Sequence, residues 1–569
     1  MFIAIVPNRK SPPAILLRES YREGKHVRTR TLANLSALAP EQVTALRGVL
    51  KGETWVRAED VFAVEESLPH GHVNAILATM RRIELDHMLA SKPCRERSIV
   101  MGLIAERLLH GTSKLAATRL WHTTTLAGEL AIEDAAVNEV YAAMDWLGAR
   151  QARIEAKLAR RHLGADTAVF YDVSSSYYEG AHCPLARYGY SRDGKRGLPI
   201  IEYGVMTDRA GRPVAISVYE GGTSDGETVP EQLERMRATF GLHRIVFVGD
   251  RGMLTETQIE TVKAYPGIGW VSALRATAIQ KLASQGAVQM SLFDEQNLAE
   301  ITSPDYPGER LVACYNPLLA DDRRRTRDEL LAATEAQLEK VRLQVARQHK
   351  TPMDKAAIGI KAGKLINRYK VGKHYTLTIS DGTFAWERKQ ASIAQEAALD
   401  GIYVIRTSEP SARLHAADAV RTYKGLAEAE RVFRGMKGVA NHVRPIFHRS
   451  DPRVRAHLFI SMLAYYVEWH LREALKPLLF DDQERRATNR ARDPLAPATP
   501  SSSARRKKTT RLTESGYQVH SLATLLEAMG TICKNRCRTG SGEHATQVIL
   551  TTQPNAWQAA VYRLLGCRQ

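Results

Sequence analysis

Cysteine is scarce. The six in 569 residues, Cys94, Cys183, Cys314, Cys533, Cys537 and Cys567, are scattered along the chain, which suits a reducing compartment and excludes a disulfide-built scaffold. Cys533 and Cys537 lack a second pair at zinc-finger spacing and read as thiols on a helix face. Long apolar runs are missing too. The longest, Leu458 to Val467 with one Ser, is about half the ~20 residues of a membrane span, and MFIAIVPNRKSPP lacks the apolar core of a signal peptide. The chain therefore reads as soluble and cytoplasmic. Acids are outnumbered: 62 Asp and Glu against 80 Lys and Arg leave a formal net charge of +18. A field of that sign draws in polyanions such as DNA or RNA. At 44% hydrophobic residues the chain is not disordered throughout, and it is too long for one ordinary domain.

Residues 1–70 hold short β-like runs (FIAIV, AILLRESYRE) with the basic cluster KHVRTRT behind them, which suggests a small β module. Over 71–164 apolar residues recur every three to four positions, as in VNAILATMRRIELDHML and SIVMGLIAERLLHG. This is a helical module, either a DNA reader presenting Lys114, Arg119 and His122 or a bundle that only packs. Over 165–275 the character changes. TAVFYDVSS, LPIIEYGVMTD and PVAISVYEGG read as strands, the last two joined by a turn at Asp208–Arg212; EQLERMRATF is helical, RIVFVGD a strand, ETQIETVKAY helical and GIGWVSAL a strand. That order is the one found in ribonuclease-H-like folds, α/β proteins whose mixed sheet carries helices on both faces. Order alone does not fix function.

The pattern breaks at 276–398, an insertion with a charged helix (RTRDELLAATEAQLEKVRLQVARQ) and a hairpin turning at Asp381-Gly382. It resumes over 399–480 with the strand GIYVIRTS, a long helix from about Ala416 to Lys437 closed by Gly438, and a buried helix from about Pro452 to Leu475. Residues 481–515, rich in Arg, Lys, Ser and Pro, read as a flexible basic linker, and 516–569 as a small helical module.

If the polyanion is DNA, cutting it needs an activated water and a neutralised leaving oxygen. Two divalent cations about 4 Å apart supply both where carboxylates from different elements converge. Asp172 ends the apolar run AVFYD, a costly place for an acid unless it is paired or metal-bound. Asp250 ends RIVFVGD in the same manner. Acids there also serve as plain helix caps, but these two fall in the first and fourth strands of the order above. In YKGLAEAERVFRGMK, Tyr423, Glu430 and Lys437 recur at seven-residue steps and share one helix face, drifting by about 20° per step. Arg434 lies four residues beyond Glu430, while Glu428 points roughly 160° away. That selects Glu430. The plainer alternative is a surface helix with Glu–Arg and Glu–Lys pairing.

YKGLAEAERVFRGMK resembles the Tyr-x2-Arg-x3-Glu-x6-Lys signature of a large group of bacterial insertion-sequence transposases, the DDE enzymes. YDVSSSYYEG is similar to their first-Asp motif, GYSRDGKRGLPIIEYGVMTD to the following strand pair and VFVGDRGM to the second-Asp motif. LDGIYVIRTS and HVRPIFHRSDPRVRAHLFISMLA are similar to the flanks of their Glu helix, so the resemblance runs over about 165–475. Leu426 stands where the signature has Arg, so that Arg's work on the DNA backbone would be done by Lys424 or not at all. The resemblance implies a mostly β insertion. It also implies two Mg2+ ions, with Mn2+ able to substitute, bridged by Asp172 and held singly by Asp250 and Glu430. Tyr423 and Lys437 would contact the phosphate beside the cleaved bond, and Arg434 would pair with Glu430 or reach the backbone. Arg444, within a basic cluster with His442 and His448, would bind DNA; a structural role is the alternative for either histidine. The implied activity is cleavage at terminal inverted repeats and strand transfer into target DNA. Cut-and-paste movement through a hairpin is expected, by at least a dimer on the nucleoid. Two other readings stand beside it: a DNA-binding or regulatory protein that does not cleave, and a ribonuclease-H-fold nuclease without strand transfer.

Overall fold

Aliphatic runs broken by charged turns build the amino-terminal strands: β1 (Phe2–Val6), β2 (Ala14–Glu23) and β3 (His26–Asn34), one antiparallel sheet. Gly24 takes φ +64° in the tight turn between the last two. A helix, Pro40–Leu50, starts on the proline that suits its first turn, and β4 (Phe62–Pro69) follows. The computed structural model describes every residue except Lys10, 54–61, Glu295, 349–350, 439–440, 540–545 and 568–569. The chain forms two units, Met1–Pro69 with Ile532–Gln553, and His70–Thr531 with Pro554–Gln569.

The second unit opens with helices. Arg95–Leu109 and Val137–Gly148 bury their apolar stripes against Asp451–Leu475, whose Leu458, Phe459, Ile460 and Leu463 are fully buried. Then comes the sheet: β5 (Ala168–Tyr177), β6 (Ile200–Thr207), β7 (Pro213–Glu220), β8 (Ile245–Val248), β9 (Ile268–Ala273), β10 (Leu298–Ile301) and β11 (Arg310–Tyr315). The hairpin of β12 (Tyr375–Ser380) and β13 (Thr383–Arg388) stands apart from it, and β14 (Ile402–Thr407) completes it. The eight strands lie in the order β10-β11-β14-β9-β8-β5-β6-β7. β5 pairs β8 and β8 pairs β9 in parallel; the remaining pairs are antiparallel. β6 is buried along its whole length, as expected of a strand covered on both faces. The protein is thus α/β with a mixed sheet.

One face of that sheet presents Phe170, Val246, Val248 and Val271 to Ala419, Val420, Leu426 and Ala429 of the helices Ala416–Lys424 and Leu426–Lys437. Gly425 joins these helices so close to Phe170 that a Cβ there would lie 2.6 Å from the ring. Gly425→Ala is therefore expected to cost about 1–3 kcal/mol through overpacking, read as a lower urea midpoint; a midpoint at or above wild type would contradict this packing.

Three regions differ from the reading of the sequence. The insertion is mostly helical, not mostly β: β10 and β11 extend the main sheet, and the longest element is the helix Pro317–Arg347. Its Leu331, Leu338 and Val345 form a stripe that the helix Lys355–Ile366 and the β12–β13 hairpin cover through Ile358, Ala362, Tyr375 and Phe384. The stretch read as a flexible linker carries two helices, Arg485–Ala491 and Ser502–Thr510. Lys507, 1% exposed, donates there to the carbonyls of Lys476 (2.6 Å), Leu479 (2.9 Å) and Asp481 (3.2 Å), a polar anchor that apolar periodicity does not reveal. The carboxyl-terminal stretch is not purely helical. Between the helices Leu522–Met529 and Ala556–Leu565 lie β15 (Cys533–Thr539) and β16 (Thr546–Thr551), which pair in the order β16-β15-β4. Cys533 and Cys537 accordingly stand on a strand rather than a helix. No helix among the described residues is long and apolar enough to cross a membrane.

Candidate active site

Two acids meet where parallel pairing stops. β5 and β8 are in register at Ala168↔Val246, Val169↔Phe247 and Phe170↔Val248. Asp172 and Asp250 each follow the last of these pairs by two residues, and the charge of Asp250 acts on the Asp172 carboxyl. Side chains alternate across a strand, so Asp172 projects on the Phe170 face, toward the helix that carries Glu430. Asp172 is not at a strand tip: β5 runs on to Tyr177, paired with β6, and only its pairing with β8 has ended.

Asp172 accepts one hydrogen bond, from the Val173 N–H at 2.9 Å. Burial pushes its carboxyl up to about 7; the charge of Asp250 pushes the same way, while the Val173 N–H and the more distant Arg192 oppose it. Asp250 is held by its own turn, its Oδ1 accepting from the N–H groups of Gly252 (2.9 Å) and Met253 (2.7 Å). The Ser272 hydroxyl donates to its backbone carbonyl at 3.1 Å. Tyr423 stands on the helix that precedes Glu430. Burial lifts its hydroxyl to about 12, with the charges of Asp250 and Glu430 adding to the shift.

Glu430 shares with Asp172 an open cleft of about 540 Å3, which Arg434, Lys437, Arg444 and Asp193 also line. Its side chain is 63% exposed and only loosely paired, 4.0 Å from the exposed Arg434. Among the described residues no three Asp, Glu, His or Cys side chains converge closely enough to hold a metal ion. The donors themselves suit a hard divalent cation. They are all oxygen, and Asp172 is desolvated beside a like charge.

Lys424 is not brought to the cleft. It follows Tyr423 directly and so points about 100° away; its Nζ donates to the Pro494 carbonyl at 2.6 Å and lies 5.9 Å from the Tyr403 ring. His448 packs edge-on against Tyr141 and beside His457. Burial, reinforced by Lys114 and Arg107, holds its imidazole down to about 3. His442 is exposed, and its carbonyl accepts from Arg107 at 2.9 Å.

Reading the sequence missed Arg192 and Asp193. Arg192 is tied to the Val173 carbonyl and to Asp225. Asp193, 2% exposed, receives both Lys437 and Arg444. In GYSRDGKRG both look like charges on a solvated turn, and no spacing marks them.

Residues 3–61 match the family described as IS1634 family transposase, N-terminal domain. No curated protein matches the chain. Among solved structures, a cryo-EM structure of the piggyBac transposase synaptic complex with hairpin DNA is similar at 8% identity and a TM-score of 0.32, over 70% of this chain and 72% of that one.

Proposed function

We propose that this chain, an insertion-sequence transposase by its amino-terminal domain, cuts DNA at the ends of its element and joins them to a target through Asp172, Asp250 and Glu430. The reading is supported by the β5–β8 pairing, which ends two residues before both Asp172 and Asp250, and by the cleft that Asp172 shares with Glu430. The order β7-β6-β5-β8-β9, three antiparallel strands passing into parallel ones, supports a ribonuclease-H-like catalytic domain.

Asp172, Asp250 and Glu430 would hold the divalent metal, Mg2+, whose chemistry would be to activate a water and neutralise the leaving oxygen. The chain's own part is positional. Burial keeps Asp172 poorly hydrated, the turn at Gly252 and Met253 orients Asp250, and the exposed Glu430 has the freedom to rotate inward from its helix. Arg434 and Arg444 flank the cleft as contacts for a DNA backbone. Bringing two ends together for cut-and-paste movement requires at least a dimer on the DNA.

Removing divalent metal with EDTA should lower cleavage of a duplex carrying the element's end at least roughly a thousandfold, several kcal/mol of barrier, with Mn2+ restoring it. Cleavage that persists in EDTA would reject the metal centre. A second reading, a DNA-binding protein that does not cut, is favoured by the outward Glu430 and the lack of three converged acids among the described residues. Tight end binding with no cleavage in either Mg2+ or Mn2+ would select it.

A further inference from the structure

Lys437 and Arg444 both border the cleft, yet the protein uses them differently. The Lys437 Nζ donates to the Ser174 hydroxyl (2.8 Å), the Ser175 carbonyl (2.6 Å) and Asp193 Oδ1 (2.9 Å). An ammonium has three N–H bonds, so all three are spent inside the protein, on a side chain only 12% exposed. Asp193 also takes the Tyr177 N–H at 3.3 Å and one nitrogen of Arg444. Arg444 is 32% exposed, and that contact occupies one edge of a guanidinium with five N–H bonds.

The costs of engaging a phosphate differ accordingly. Lys437 would have to abandon three hydrogen bonds and leave a buried carboxylate short of a partner, which is expensive. Arg444 can keep Asp193 and offer its free edge, in a planar fork that matches phosphate. Lys437 stands at the last turn of the Glu430 helix, and Ser174 and Ser175 lie two and three residues beyond Asp172 on β5. Its bonds therefore fix the helix lengthwise against the strand.

We infer that Arg444, steadied by Asp193, is the side chain that takes a DNA phosphate beside the acids, and that Lys437 is a positioning residue pinning the Glu430 helix to β5. The inference rests on the DNA-cutting function proposed above. It predicts different salt dependences, because each phosphate contact adds about 0.9 to the slope of log affinity against log salt.

The test uses the full chain and a fluorescent duplex carrying the element's end, with affinity measured between roughly 50 and 200 mM KCl and single-turnover cleavage measured at saturating protein. Arg444→Ala should lower the slope by about one. Lys437→Ala should leave the slope unchanged while slowing cleavage of the bound duplex at least tenfold, a change that a purely structural role would not produce in the bound, folded fraction. Lys437→Met serves where the alanine variant fails to fold. A slope that falls by about one in the lysine variant and stays constant in Arg444→Ala overturns the inference, as does an unchanged cleavage rate in the lysine variant. A wild-type chain that cuts while both slopes match the wild type overturns only this assignment, whereas a wild-type chain that binds no end duplex overturns the proposed function itself.

Discussion

Asp172→Asn is expected to lower metal-dependent cleavage by at least roughly a thousandfold while leaving the chain folded and bound to end DNA. Asn keeps the shape of Asp but cannot carry the charge that a divalent cation needs. The same change relieves the fold: the Asp172 carboxylate is desolvated and sits beside Asp250, which is why its pKa is pushed up to about 7. An acid whose pKa is raised on folding binds its proton more tightly in the folded state. It therefore favours the fold increasingly as pH falls from about 7 toward the ordinary carboxylate range, and opposes it above. Without metal, the Asn variant should be at least as stable as wild type at pH 8 and should lose that part of the pH dependence. Greater stability with lost activity marks a functional acid, and thermal midpoints beside single-turnover cleavage read both. Asp250→Asn and Glu430→Gln should abolish cleavage likewise. A near wild-type rate in any of the three would remove that residue from the centre.

The largest stability effect is expected at Glu155→Ala. Glu155 is fully buried on the helix Gln151–His162. Its Oε1 accepts from the Ile216 N–H of β7 (2.9 Å) and from Gln151 (3.0 Å), and its Oε2 pairs with Arg235. Burial already holds the Arg235 guanidinium down to about 10. Removing its partner strands a buried charge and an N–H of the strand, at a cost of roughly 3–5 kcal/mol, a large part of the 5–15 kcal/mol typical of a folded domain. Urea unfolding measures it, and a loss under about 1 kcal/mol would mean that solvent reaches the pair. Replacing both charges together, Glu155→Leu with Arg235→Met, should restore most of the loss, since no uncompensated ion remains. Cleavage per folded molecule should not change, because neither side chain lines the acidic cleft.

What was legible in the sequence follows from where each interaction is written. The strands from Ala168 to Ala273 and the helices at 416–437 and 451–475 announce themselves in apolar spacing, because burial on a sheet or along a helix stripe is a local pattern. The face shared by Tyr423, Glu430 and Lys437 is equally local, which is why Glu430 could be chosen over Glu428. Long-range interactions were hidden. β11 pairs onto β14 nearly a hundred residues away and carries β10 on its outer edge, and β15 pairs with β4 from the opposite end of the chain. The Ser502–Thr510 helix hangs on Lys507 and three carbonyls rather than on an apolar stripe. Asp193 acquires its importance only from two cations that arrive about 250 residues later. For the same reason the periodicity that picked out Lys437 revealed its helix face but not its partners.

The most direct test is where manganese sits. Crystals of the full chain on end DNA, grown with Mn2+, should show anomalous peaks within bonding distance of Asp172, with Asp250 on one ion and Glu430 rotated inward on the other. Peaks elsewhere, or a Glu430 still turned to solvent beside an occupied Asp172, would contradict a three-carboxylate centre.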